Sequence, residues 1–429
     1  MEHKVYCIAL RPMDQSSKGS IPNLLFTQKM YNFNEMTIGN TKDAIDSLLS
    51  RRVDKILPSK EGLKQLITTR KIRLYQGFDP TGAKLHLGHT IGLRKLMEFA
   101  SLGHEVIFLF GTGTVLVGDP SQRESGRKVL KGEEIESNIR TWKKQVEPIV
   151  DFTKVTIRKN ADWLTNLSLK EIITVASHIS AIQLFKRDMF KRRLDQGDTV
   201  WYHETMYPLL QGYDSVVMDV DLEIGGTDQE FNMLIGRELQ AKINHREKYI
   251  LTVPMIMGTD GKMMSKTSKN CIWLSDSAED MYGKIMSLPD SQILPYLELV
   301  TDIPLVEIRS LPNDPLANKK RLAFEVTRTF HGQSKASQIK EAFERVVQRG
   351  LPPEELKDFS MENISENDTI TDILTKAKLA ETRSEAKRLI SQGGVAINGK
   401  RINTPLEKPQ LQPGSVIRAG KRKFIRLTK

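Results

Sequence analysis

Two histidines three residues apart, His86 and His89, stand in the run Tyr75–Thr90, Tyr-Gln-Gly-Phe-Asp-Pro-Thr-Gly-Ala-Lys-Leu-His-Leu-Gly-His-Thr. At that spacing both imidazoles can face one side of a helix start. Gly88 between them has no side chain, so a flat base can approach the backbone. A helix N-terminus adds unpaired N–H groups and positive dipole character, which suit phosphate. The residues fit nucleotide binding, and they equally fit two surface histidines after an ordinary loop. Asp119, in Gly118-Asp119-Pro120-Ser121, can pair with an ammonium group, and Arg123 and Arg127 beyond it can meet a polyphosphate. A turn followed by solvated charge is the other reading. Tyr207, Gln211 and Asp214 fall at i, i+4 and i+7, a polar stripe that faces either solvent or a polar pocket. Gly225-Gly226-Thr227-Asp228-Gln229 permits close approach to a ribose, whose hydroxyls Asp228 can accept, unless it is only a Gly-rich turn. Asp260–Asn270, Asp-Gly-Lys-Met-Met-Ser-Lys-Thr-Ser-Lys-Asn, is a lysine-rich loop carrying Lys262 and Lys266, with a solvated surface loop as the plainer reading.

These residues need elements to hold them. Ile72, Leu74 and Tyr75 predict a strand, Gly77–Gly82 a turn, and Leu93, Leu96, Met97 and Ala100 a helix. Helices are predicted over 41–53 and 60–69, a buried strand over Glu105–Phe110, a strand over 154–158, a helix over 168–179 and a strand over 216–224. Such alternation predicts a parallel sheet with helices on both faces and a ligand crevice at the carboxyl ends of its strands. Helices over 278–287, 292–300 and 318–330 follow, broken by Pro289, Pro304, Pro312 and Pro315. Residues 350–368, with Pro352-Pro353, read as a linker. A helix over 380–392 then ends at Gly393-Gly394, and Asn398-Gly399 is a strong hairpin signal.

The 429 residues allow two or three domains. No apolar run reaches the roughly 18 residues of a membrane span. Two cysteines, Cys7 and Cys271, exclude a disulfide framework and a cysteine-rich metal site, which points to a reducing, cytoplasmic setting. Of the net charge of +11, residues 369–429 supply +10, with 14 Lys and Arg against 4 Asp and Glu. A basic tail on a near-neutral body suits a polyanion such as nucleic acid, or is a solvated face. Residues 1–40 show no consistent amphipathic face and are read as an extension outside the fold, with Met36 as a possible start.

Taken together, Tyr75–His89, Gly225–Gln229 and Met263-Met264-Ser265-Lys266-Thr267 resemble the nucleotide signatures of class I aminoacyl-tRNA synthetases, in the context of the bacterial tyrosyl-tRNA synthetases, from about Thr41 to the C-terminus. The resemblance implies a Rossmann-like parallel-sheet catalytic domain (41–270), an α-helical anticodon-side domain (271–350), a linker (351–368) and a small α+β S-four-type RNA-binding domain (369–429). It implies activation of tyrosine with ATP and transfer to the terminal ribose of tRNA(Tyr), with magnesium carried on ATP, no dedicated protein metal cage, and a homodimeric assembly. By the same resemblance His86, His89, Lys266, Arg123 and Arg127 would act on the phosphates. Tyr75, Asp119, Tyr207, Gln211 and Asp214 would hold tyrosine, with Tyr75 and Asp214 on either side of the phenol hydroxyl. Gly77, Asp79, Thr81, Gly88, Gly226, Asp228, Gln229 and Lys262 would hold ATP. Arg383, Lys387 and Arg388 would meet RNA. Three departures from the family pattern stand out: Arg123 where lysine is frequent, Glu223 where glutamine occurs, and Met263 in place of the mobile loop's first lysine. A tryptophanyl-tRNA synthetase, or a non-catalytic synthetase-like RNA-binding protein, remain the alternatives.

Overall fold

Short runs of β-branched and aromatic residues build a six-stranded sheet: β1 (Lys55–Leu57), β2 (Arg73–Phe78), β3 (Glu105–Phe110), β4 (Val155–Lys159), β5 (Leu222–Gly226) and β6 (Tyr249–Val253). The computed structural model describes residues 41–119, 131–185, 188–265, 268–348, 356–420 and 423–429. In space the order is β1-β6-β5-β2-β3-β4. The β2–β3, β3–β4, β2–β5 and β5–β6 pairs are parallel, and only the edge pair β1–β6 is antiparallel. The chain moves from β2 outward through β3 and β4, then returns to the other side of β2 with β5 and β6. That reversal opens a crevice beyond the carboxyl ends of β2 and β5.

The central strands are buried on both faces, as an almost unbroken apolar run such as Val106–Phe110 requires. The helix Lys60–Thr69 has the expected bounds and begins where Ser59 Oγ accepts the Gly62 N–H at 3.1 Å. The first helix is shorter than expected, Thr41–Leu48, because residues 49–52 turn and Arg52 takes a left-handed conformation (φ 57°). The helix expected over 168–179 spans Leu169–Ala176, closed at its start by a Ser168–Glu171 capping box.

One element differs in kind. The strand expected over 216–224 starts only at Leu222, and Val216-Val217-Met218 are the last turn of the helix Tyr202–Met218. Two adjacent valines suit a strand, but here Val216 packs with Ile235 and Leu239 of the neighbouring helix Glu230–Ile243. The helix then stops at Asp219, in the left-handed region (φ 46°).

Beyond the sheet, Ala278–Met286, Ile293–Val300 and Pro315–His331 form the expected helices, the last opened by Pro315 and capped by Asp314. Their apolar faces (Tyr282, Leu297, Leu322) join the same core as the sheet. A separate small core, with Ile373, Ile390, Ile417 and Ile425, underlies a second sheet. That sheet is β7 (Lys357–Ser360), β8 (Val395–Ile397), β9 (Lys400–Arg401), β10 (Val416–Ala419) and β11 (Lys423–Thr428), ordered β7-β11-β10-β8-β9. Asn398 and Gly399 both have positive φ (48° and 84°), the turn their pair predicts between β8 and β9. The helices Ile370–Lys376 and Arg383–Ser391 pack on it. Residues 357–360, expected within the linker, instead form an edge strand paired with β11, because Phe359 packs into this core. No described helix is long and apolar enough to cross a membrane.

Candidate active site

The crevice at the strand ends is a cavity of about 890 Å³. Five of the sequence-selected clusters meet there. β2 delivers Tyr75 and Gly77, and the turn after it delivers Asp79 and Thr81. His86, Gly88 and His89 stand at the start of the helix His89–Ser101. The imidazole centroids are 3.9 Å apart with the rings tilted by 52°, and the His86 backbone N–H donates to His89 Nδ1 at 3.2 Å. A Cβ on Gly88 would come within 3.1 Å of the His86 ring, so glycine lets the two rings share this corner. Gly226 ends β5, Asp228 and Gln229 follow it, and Met264 and Ser265 also line the cavity.

The polar stripe of the helix Tyr202–Met218 faces the cavity, not solvent. The Tyr207 hydroxyl donates to Asp79 Oδ2 at 3.1 Å, and Asp79 Oδ1 accepts from Thr114 Oγ1 at 2.8 Å. Asp79, assigned from sequence to the nucleotide, is thus also bonded to the amino-acid stripe. Gln211 Nε2 donates to Glu223 at 3.1 Å, and its carbonyl accepts from Asn232 at 3.0 Å. Asp119 accepts from Gln229 Nε2 at 2.9 Å, which links the ammonium candidate to the ribose motif.

Tyr75 and Asp214 both line the deep end. The Tyr75 hydroxyl is 2.9 Å from Ser215 Oγ. Asp214 receives the Asn160 amide at 3.0 Å and the Trp163 indole N–H at 2.8 Å. Burial pushes the Asp214 carboxyl well above the usual carboxylate range, against the pull of those two donors. Burial likewise raises the phenols of Tyr75, beside Glu223, and Tyr207, beside Asp79. Both therefore stay neutral hydrogen-bonding groups at ordinary pH.

Not every sequence candidate arrives. Lys262 is exposed and does not line the cavity; its N–H is held by Asp260 Oδ1 at 3.0 Å. Met263 is half exposed beside it. Arg123, Arg127 and Lys266 lie outside the described residues. Arg383, Lys387 and Arg388 are exposed on the helix Arg383–Ser391, far along the chain from the cavity, and Arg383 pairs with Asp372. Among the described residues the cavity lining has carboxylates at Asp79, Asp119, Asp214, Glu223 and Asp228 and no lysine or arginine.

Residues 68–348 match the family described as tRNA synthetases class I (W and Y), and residues 370–410 match the S4 domain. The tyrosine–tRNA ligase of Dehalococcoides mccartyi is 38% identical over 395 residues, covering 90% of this chain and 99% of that protein. The chain belongs to the tyrosine–tRNA ligases. A second tyrosine–tRNA ligase, from Thermotoga maritima, is 39% identical over 389 residues, 89% of this chain and 96% of its own. Two solved structures share the fold of the family. A C-terminally truncated Aspergillus nidulans mitochondrial tyrosyl-tRNA synthetase aligns with TM-score 0.61 at 22% identity, over 71% of this chain and 95% of its own. The Archaeoglobus fulgidus tyrosyl-tRNA synthetase complexed with L-tyrosine aligns with TM-score 0.56 at 21% identity, over 70% and 99%.

Four residues of this ligase's cavity region escaped sequence reasoning. Asn160 directly follows β4, Trp163 lies in the short helix Ala161–Leu164 after it, Ser215 is buried beside Asp214, and Lys248 precedes β6. Asn160 alone carried a usable signal, a polar residue at the carboxyl end of a parallel strand. The others are recognised only once the helix and strands are packed.

Proposed function

We propose that the cavity binds tyrosine and ATP side by side, forms tyrosyl-adenylate, and passes the tyrosyl group to the terminal ribose of tRNA(Tyr). The observation that carries this reading is one cavity lined together by the buried Tyr75 and Asp214, the His86–His89 corner and the Gly226–Gln229 turn. The tyrosine carboxylate attacks the α-phosphate, the new C(O)–O–P bond forms, and pyrophosphate leaves. A ribose hydroxyl of tRNA then takes the acyl group and AMP departs. No side-chain nucleophile is needed; positioning and charge stabilisation supply the rate.

Tyr75 and Asp214 take the phenol hydroxyl, while Asp119, Tyr207 and Gln211 face the ammonium. Gly77, Thr81, Gly88 and Gly226 leave room for the nucleotide, Asp228 takes ribose hydroxyls, and His86 and His89 meet the phosphates. The acidic lining favours an ammonium and repels an unshielded polyphosphate. The opposing charge is assigned to Arg123, Arg127 and Lys266 and to magnesium carried in on ATP. The exposed Arg383, Lys387 and Arg388 are assigned to tRNA, whose structured parts are read by shape and backbone. Between residues 169 and 202 the apolar side chains of Leu169, Ile173, Ile182, Trp201 and Tyr202 are exposed, and we assign them to a homodimer contact. A reducing compartment such as the cytoplasm suits Cys271, which is buried with its thiol 3.1 Å from the Ser265 carbonyl.

The test is amino-acid-dependent exchange of pyrophosphate into ATP with tyrosine, phenylalanine and tryptophan. Exchange with tyrosine alone is expected. Exchange with tryptophan, or with none of the three from folded protein, overturns the reading.

A further inference from the structure

A buried ion pair lies behind the phenol end of the cavity. Glu223 in β5 and Lys248, just before β6, are 2% and 0% exposed and bonded to each other. Lys248 Nζ also donates to Ser215 Oγ at 2.8 Å, and Ser215 Oγ is 2.9 Å from the Tyr75 hydroxyl. Glu223 uses its other oxygen to accept from Gln211. The pair therefore reaches, through one side chain each way, a phenol ligand and an ammonium ligand. Gly236 leaves the space for it: a Cβ there would stand 2.6 Å from Lys248 Nζ and 3.0 Å from Ser215 Oγ. Replacing such a pair by packed apolar residues is commonly neutral or stabilising, so stability alone gives little reason for two charges here.

The hydrogen bonds behind Tyr75 give a reason. An ammonium only donates, so Ser215 Oγ accepts from Lys248. Ser215 Oγ stands 2.9 Å from the Tyr75 hydroxyl, where either oxygen can donate, and 3.4 Å from Glu223 Oε2, which accepts from it. The Tyr75 hydroxyl is thus held from behind by Ser215, whose own place is fixed by both members of the ion pair. Resting on the tyrosine-binding reading above, we infer that Lys248 and Glu223 are positioning residues for tyrosine recognition. Lys248, through Ser215, holds the Tyr75 hydroxyl where it meets the phenol oxygen, with Asp214 on the other side. Glu223 holds the Gln211 amide in the orientation that meets the ammonium. A lock between β5 and β6 with no part in recognition is the competing account.

Ser215→Ala leaves the ion pair whole and removes the relay. In pyrophosphate exchange its preference for tyrosine over phenylalanine should fall about tenfold, the usual consequence of one lost buried hydrogen bond, with the KM for ATP unchanged. Lys248→Met should show the same fall and a higher KM for tyrosine. Adding Glu223→Gln should recover part of both, because an amide N–H can replace the ammonium as donor to Ser215. If Lys248→Met does not fold, Ser215→Ala decides alone. Wild-type exchange with an unchanged tyrosine-to-phenylalanine ratio in Ser215→Ala overturns the inference and leaves the pair as a lock. Absence of tyrosine-dependent exchange in the wild type overturns the underlying reading instead.

Discussion

Two buried aspartates seven residues apart carry opposite pH signatures. Asp214 sits at the deep end of the cavity, where burial raises its carboxyl despite the Asn160 and Trp163 donors. A raised folded pKa means a contribution to stability that is full below the unfolded value and lost as pH rises through the folded one. Asp214→Ala should therefore cost most stability in acid, with the gap from the parent narrowing toward neutral pH in urea denaturation. On the proposed tyrosine-binding reading the same variant removes one of the two partners of the phenol hydroxyl and should cost about 1–3 kcal/mol of tyrosine-over-phenylalanine discrimination. An unchanged ratio would take Asp214 out of the site. Asp221 behaves the other way. Burial works against its ionisation, but Arg70, the Arg73 N–H and Arg246 outweigh it and hold the carboxyl below the usual range. Arg70 reaches it at 2.5 Å and the Arg73 N–H at 2.9 Å. Its contribution is present above the unfolded value and lost as pH falls through the folded one. Asp221→Asn should destabilise by about 1.5–3 kcal/mol near neutral pH, with the difference vanishing in acid. A pH-independent difference would mean that the charge is not what Asp221 contributes.

At the next scale the site depends on how closely two helices meet. Tyr202–Met218 and Glu230–Ile243 cross with Gly212 against Gly236. A Cβ on Gly212 would lie 2.9 Å from Leu239 Cδ1 and 3.1 Å from the Gly236 backbone. Backbone cannot swing aside as a side chain can, so Gly212→Ala must move one helix. It should destabilise by about 1–3 kcal/mol. Because Gln211 and Asp214 flank Gly212, it should also raise the KM for tyrosine; an unaltered KM with lowered stability would uncouple the stripe from the crossing. This dependence explains what could be read from sequence and what could not. The stripe Tyr207–Gln211–Asp214 was legible because a helix places i, i+4 and i+7 on one face whatever it packs on. Glu105–Phe110 was legible because its short apolar run has the length of a buried strand, and Lys60–Thr69 formed over its expected bounds. Val216-Val217 misled, since β-branched residues suit a strand locally and only packing on Ile235 and Leu239 keeps them helical. β1 is three residues whose partner, β6, lies almost two hundred positions away. Lys248 and Ser215 are ordinary surface types in the sequence, and three separate elements must close before either lies beside Tyr75.

The whole molecule separates its charges. The cavity gathers carboxylates, whereas the C-terminal part with its own small core carries nearly all the net positive charge. An acidic cavity suits a small cationic group and does nothing to attract a long polyanion, so tRNA must be drawn elsewhere. Lys387 and Arg388 are exposed, while Arg383 is already paired with Asp372 and has less field to offer. Changing Lys387 and Arg388 together to glutamate should leave tyrosine-dependent pyrophosphate exchange intact, because that step uses only the cavity. It should weaken tRNA binding and lower the magnitude of its salt dependence by about one per lost phosphate contact. Arg383→Ala should have the smaller effect, since the field it removes is largely cancelled by Asp372. Binding measured at two or more salt concentrations separates these cases. A loss of affinity with an unchanged slope would place these side chains in shape recognition instead of phosphate contact, and a parallel loss of exchange would mean that the basic region supports the catalytic sheet as well as the RNA.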